Sequence, residues 1–132
     1  MLSDGTIEVS NKDGVFSITG PNSSMTSEDI NITGKNIDGQ FSTIDGNKEV
    51  IKLNVKDEKI SNIKTNDVDM YANKAVYDKK NSIIELFENV KIIRGNEIIT
   101  GDYGTLDTDT NSYKVKSNNS NKVKVIITEN NE

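Results

Sequence analysis

The chain contains no cysteine, no histidine and no tryptophan, and it has a single proline, Pro21, and a single arginine, Arg94. Each absence removes a class of function. Without cysteine there is no disulfide, no thiol nucleophile and no thiolate metal site. Without histidine there is no Ser-His or Cys-His pair, and the side chain that most often acts as a general base near neutral pH is missing. No apolar run approaches the length of a membrane-spanning helix. Met1-Leu2-Ser3-Asp4-Gly5 has neither the charged start nor the apolar stretch of a secretory leader, so any signal or anchor is expected to lie outside this chain. The net charge is −5 with scattered lysines, which leaves no electrostatic footprint for nucleic acid.

What remains is a chain of 132 residues, 33% hydrophobic and 28% charged, a size that suits one domain over residues 1–132. Its apolar residues are mostly Ile and Val, which fit a pleated, half-buried surface. Asn, Asp, Ser, Thr and Gly separate the apolar segments and are the residues that make turns. Alternation of period two recurs: Ile7 and Val9; Ile51, Leu53 and Val55; Val68, Met70 and Ala72; Ile84 and Leu86; Val123, Val125 and Ile127. Asp45-Gly46-Asn47 and Arg94-Gly95-Asn96 read as tight turns between strands. Asp57 to Asp67 reads as a polar span with only Ile60 and Ile63, and the acidic tail Glu129 to Glu132 as a fraying end. No segment sustains helical spacing, so the sequence predicts an all-β domain without a long helix.

One pattern repeats. Ala72, Ala75 and Asp78 map onto Gly101, Gly104 and Asp107 at a constant offset, and Asn81-Ser82 meets Asn111-Ser112 after one inserted residue. A repeat of this length marks a winding or stacked architecture. The paired small residues either leave width inside the fold or relieve crowding where the sheet twists.

The stretch Ala72, Ala75, Tyr77, Asp78, Ile84, Leu86, Asn89, Val90, followed by Ile99, Gly101, Asp102 and Leu106, resembles the repeat unit of the OstA-like family of periplasmic lipopolysaccharide-transport proteins. The family's glycine before Asn-Val is Glu88 here, and the first half matches more loosely, through Ile32, Gly34, Phe41 and Ile51 to Val55. The resemblance implies an open, twisted antiparallel β jelly roll of two sheets in a V, a "β-taco". It implies a periplasmic location and a non-enzymatic bridge that passes the acyl chains of lipid A along an apolar trough from inner to outer membrane. It implies lipopolysaccharide as ligand and no cofactor. The partners would be homologous β-taco proteins of the inner- and outer-membrane transport components, joined end to end, with head-to-tail self-association. A membrane-anchored partner of the same pathway shares the pattern.

On this reading the inner face carries Ile32, Phe41, Ile51, Leu53, Val55, Met70 and Ala75, then Tyr77, Ile84, Leu86, Val90, Ile92, Leu106 and Val115. Periodicity alone reads the same face as the dry core of a structural or adhesive β-repeat module. Lys79, Lys80, Lys91 and Arg94 lie at or near turns, where they meet lipid phosphates or simply solvent. Thr6 to Ser10 and Val123 to Thr128 are expected as sheet edges, a liability in a monomer and a joint in a filament. Asp107-Thr108-Asp109-Thr110-Asn111 opens like a calcium loop but has Ser112 for the glycine and Asn118 for the glutamate, so it reads as a turn held by side-chain-to-backbone hydrogen bonds. No two carboxylates are marked as a glycosidase pair.

Overall fold

The computed structural model describes residues 1–27, 30–117 and 123–127. Asn118, the strand end at Thr128 and the acidic tail lie outside the described residues. The strands are β1 (Thr6–Ser10), β2 (Val15–Thr19), β3 (Ser24–Ser27), β4 (Ile30–Thr33), β5 (Asn36–Ile44), β6 (Asn47–Lys64), β7 (Asp69–Asp78), β8 (Ile83–Arg94), β9 (Glu97–Asp107), β10 (Tyr113–Lys116) and β11 (Lys124–Ile127). All pairings are antiparallel, and there is no helix among the described residues.

Four long strands, β6 to β9, run side by side, and each contributes to two layers. The edge of β6 away from β7 pairs with β5 along Asn47–Lys56 and with β4 along Asn62–Lys64. The far edge of β9 pairs with β10 along Tyr103–Leu106 and with β11 along Glu97–Thr100. One layer therefore reads β1-β2-β5-β6-β7-β8-β9-β10, and the other joins β3 and β4 to the remaining halves of β6 to β9 and to β11. This is an open antiparallel sheet folded over on itself.

The fold line is a row of bulges. In β6, Asp57 to Ile60 stand opposite Asn73 alone. In β8, Glu88 and Asn89 stand opposite Asp102 of β9. Each bulge inserts unpaired residues that bend its strand and raise its twist, and strands that pass between packed sheets turn at such places. Glu88 (φ 66°) and Asn89 (φ 53°) are both left-handed. Asn73 Nδ2 donates to the carbonyls of Asp57, Glu58 and Lys59 at 3.0–3.1 Å, answering groups that the β6 bulge takes out of the ladder.

The inner faces of both layers meet in one apolar cluster. Phe16, Ile18, Ile37, Leu53, Val55, Ala75, Ile84, Leu86 and Leu106 come from the first layer, and Met25, Ile32, Ile63, Met70, Ala72, Val90 and Ile92 from the second. The polar span Asp57 to Asp67 is strand over most of its length. As far as Lys64 it continues β6 through the fold line, with Ser61 and Ile63 buried and Ile60 turned out. The bulge interrupts the alternation, which is why the stretch reads as polar. Ser61 Oγ donates to the Ala72 carbonyl at 2.5 Å, so its buried hydroxyl is satisfied.

Candidate functional site

The small residues of the repeat sit where the layers converge. Ala72 and Ala75 flank Asn73 in β7, and Gly101 and Gly104 flank Asp102 in β9. A Cβ on Gly101 would lie 2.4 Å from Val115 Cγ1 and 2.8 Å from the Lys116 carbonyl, and one on Gly104 would lie 3.1 Å from Val90 Cγ1. Close approach of strands at the crease leaves no room for a side chain, so crowding accounts for the glycines.

From the crease the layers run to a mouth on the opposite side. One rim is made by the turns β7–β8 (Lys79 to Ser82) and β9–β10 (Thr108 to Ser112). The other is made by the turns β6–β7 (Thr65 to Val68) and β8–β9 (Gly95 and Asn96). Between the rims lies a cleft of ≈ 280 Å³. Ile30, Val50, Leu53, Tyr77 and Leu106 give it apolar walls, and Glu49, Asp67, Lys79, Thr108 and Asn111 a polar lip. Lys79 pairs with Glu49 at this lip. Deeper in, Ile32, Leu53, Val55, Ile63, Ala75, Tyr77 and Ile84 surround a void of only ≈ 10 Å³, at the limit of what admits one water. The interior here is closely filled by its own side chains, and the cleft adjoins it through Leu53 and Tyr77. A larger depression of ≈ 660 Å³ between Pro21–Ser24 and Asp57–Ile60 touches none of the clustered core residues.

Of the inner-face residues named from sequence, Ile32, Leu53, Val55, Met70, Ala75, Ile84, Leu86, Val90, Ile92 and Leu106 are buried in the common cluster, and Phe41, Tyr77 and Val115 pack against it half-buried. Ile51 does not join them. The β5–β6 register slips there: Gln40 faces Lys52 and Phe41 faces Val50, so Ile51 is the extra residue of a bulge and Val50 takes the inward place. The doublet Val50-Ile51 is the only sign of this in the sequence. Phe16, Ile18, Met25, Ile37 and Ile63 also belong to the interior and are not among the named residues. They sit on short strands or beside bulges, where too few alternations repeat to set a phase.

The cations divide by position. Lys80 and Lys91 are exposed, Lys79 is at the mouth, and Arg94 Nη1 donates to the Asn111 carbonyl at 2.7 Å with its guanidinium 5.0 Å from the centre of the Tyr113 ring. The Tyr113 hydroxyl donates to Glu97. Burial, and then the bond to Glu97, hold the Tyr113 phenol above its ordinary pKa. Asp107 accepts from the amides of Asp109 and Thr110 at 2.9 and 3.1 Å, so the loop with a calcium-like start uses its first carboxylate to hold a turn.

The sheet ends are strand edges. β1 pairs only with β2 among the described residues and exposes Ile7 and Val9, while β11 exposes Val125, Ile126 and Ile127. At β3, Leu2 exchanges two backbone hydrogen bonds with Ser24 and covers part of the edge.

A sequence model of the family described as "LptA/(LptD N-terminal domain) LPS transport protein" matches residues 5–112. Among solved structures, the chain is similar to LptH, the LptA-homologous periplasmic component of the lipopolysaccharide transport device of Pseudomonas aeruginosa. The TM-score is 0.79 at 15% identity, over 97% of this chain and 93% of that one. At that identity the likeness speaks for the fold. A search among curated proteins finds no match.

Proposed function

The chain belongs to the LptA/LptD N-terminal domain family of lipopolysaccharide transport proteins, and from that premise we propose that it is a periplasmic carrier segment that passes lipid A acyl chains between its two layers without making or breaking bonds. The observation that carries this reading is the apolar interior shared by both layers, with a side cleft whose walls, Leu53, Tyr77 and Leu106, join that interior.

The physical need is plain. A hydrocarbon tail of about 12 carbons costs roughly 10 kcal/mol to expose to water, at about 0.8 kcal/mol per methylene. Several tails on one lipid cannot cross an aqueous gap unshielded at a useful rate. Ile, Val, Leu and Met offer contact without direction, so a lipid can slide from one set to the next. The hydrophilic sugars stay outside, where the alternation of each strand places lysines and acids. Copies or homologous partners at the inner and outer membranes then extend the track through β1 and β11, whose exposed edges suit strand addition.

A photo-activatable residue at position 77 or 86 tests the proposal. Irradiation in cells is expected to capture lipopolysaccharide at both positions, and a label at exposed Lys91 to capture much less. No capture at 77 and 86 would refute it. The closely filled interior favours a second reading, a β module whose core is dry and whose edges bind protein. That module would bind neither an apolar fluorescent probe nor lipopolysaccharide in competition with it.

A further inference from the structure

We propose that the mouth carries a polar clasp, centred on Asn111, that regulates entry of acyl chains into the interior. This rests on the lipid-carrying reading above. The turn β9–β10 of one rim is tied to two turns of the other. Asn111 Nδ2 donates to Asp67 Oδ2 at 3.2 Å, in the turn β6–β7. The Asn111 carbonyl accepts from Arg94 Nη1 at 2.7 Å, beside the turn β8–β9. Next to it, Tyr113 of β10 donates to Glu97 of β9 and lies under the Arg94 guanidinium.

A single residue thus bridges both opposing turns, and its own position is fixed. Asn111 has a left-handed backbone (φ 58°), suited to Asn, and its amide donates to the Asp107 carbonyl at 2.8 Å. The clasp adjoins the cleft, since Asp67 and Asn111 are also part of the lip. The void beneath is too small for a tail, so a tail enters only if the layers part. The crease is pinned by Asn73, and parting is therefore greatest at the mouth. Beyond the apolar packing of the two layers, the contacts that resist it at the mouth are the polar ones just named. They are directional and partly wet, so they break and re-form at modest cost, whereas an apolar seam would seal the mouth. Arg94, the one arginine in the chain, is the residue whose planar, multi-donor head serves carbonyl and ring together.

The absence of cysteine makes the test clean. Asn66→Cys with Thr110→Cys places the only two thiols on exposed positions adjoining Asp67 and Asn111. A reducible bis-methanethiosulfonate bridge between them is expected to slow uptake of purified lipopolysaccharide at least tenfold, and reductant to restore it. Arg94→Gln, and separately Asn111→Gly, which keeps the backbone conformation, are expected to speed uptake about fivefold to tenfold. Unchanged uptake in the bridged protein overturns the clasp. If the unbridged protein takes up no lipid, the lipid reading falls, and the clasp is judged on spin labels at the same two positions. A distribution that broadens to longer distances in Arg94→Gln supports it, and an unaltered one overturns it.

Discussion

Asn89 donates from Nδ2 to Oδ1 of Asn73 across 2.6 Å, joining the bulge of β8 to the neighbouring strand β7. Asn73 in turn gives its own amide to three carbonyls of the β6 bulge. The crease therefore carries a side-chain relay across three strands.

Removing the middle of that relay tests its weight. Asn73→Ala strands the Asn89 amide and leaves the β6 carbonyls to water. Because the site is partly exposed, the expected loss is about 1–2 kcal/mol in urea unfolding, less than for a fully buried amide. Asn73→Asp removes the donor and sets a carboxylate against carbonyls, so it is expected to lose more. A loss within a few tenths for both would show that the bulges hold their shape unaided.

Glu88 occupies the left-handed position that the family fills with glycine. A side chain there costs roughly 1–2 kcal/mol, and glycine removes that strain while giving back part of it as unfolded-state entropy. Glu88→Gly is expected to stabilise the fold by about 0.5–1 kcal/mol, a rise of a few degrees in thermal midpoint by circular dichroism. A fall in midpoint would mean that the Glu88 side chain makes a compensating contact.

Gly101→Ala inserts a methyl group against Val115 and the Lys116 carbonyl. Overpacking of this kind is expected to cost about 1–3 kcal/mol. Adding Val115→Ala relieves the side-chain clash but not the backbone one, so the double variant is expected to recover only part of the loss. Full tolerance of Gly101→Ala would show that the layers have slack at the crease.

Three phenols are held above their ordinary pKa of 10.0: Tyr71 chiefly by the charge of Asp69, Tyr103 by its bond to Glu85, and Tyr113 by burial. A raised pKa favours the protonated form in the folded state. The stabilisation is complete below 10.0 and is lost as pH rises through the folded value. Ultraviolet titration is expected to show phenolate appearing late in the native protein and at the ordinary value once it is denatured. Tyr113→Phe is expected to remove part of the late component, and its stability difference from the parent to shrink above pH 10.0.

The sequence makes the layers legible and hides the crease. Long alternations such as Ile84–Leu86 and Met70–Ala72 carry their own phase, and the structure buries both pairs. A bulge changes phase by one residue, and nothing in an apolar count records it. For that reason an unbroken phase places Ile51 inward and leaves Ile63 off the inner face. The repeat of Ala72/Ala75 in Gly101/Gly104 did mark the crease, but as smallness, which has more than one cause until Val115 and Val90 are seen next to it. The mouth was less legible still. Asp67, Asn111 and Glu97 are ordinary turn residues in sequence, and only the return of β9 past β6 brings positions 44 residues apart into one hydrogen bond.

The near-absence of empty volume between the layers has an energetic corollary. On the lipid-carrying reading, a fatty tail arriving there would exchange one hydrocarbon neighbour for another, with little water released or taken up. Such a substitution is close to thermoneutral and runs equally well in reverse. If the protein carries lipid as proposed, such a conduit would supply no vectorial bias, and net flow would have to be imposed from whichever end is driven.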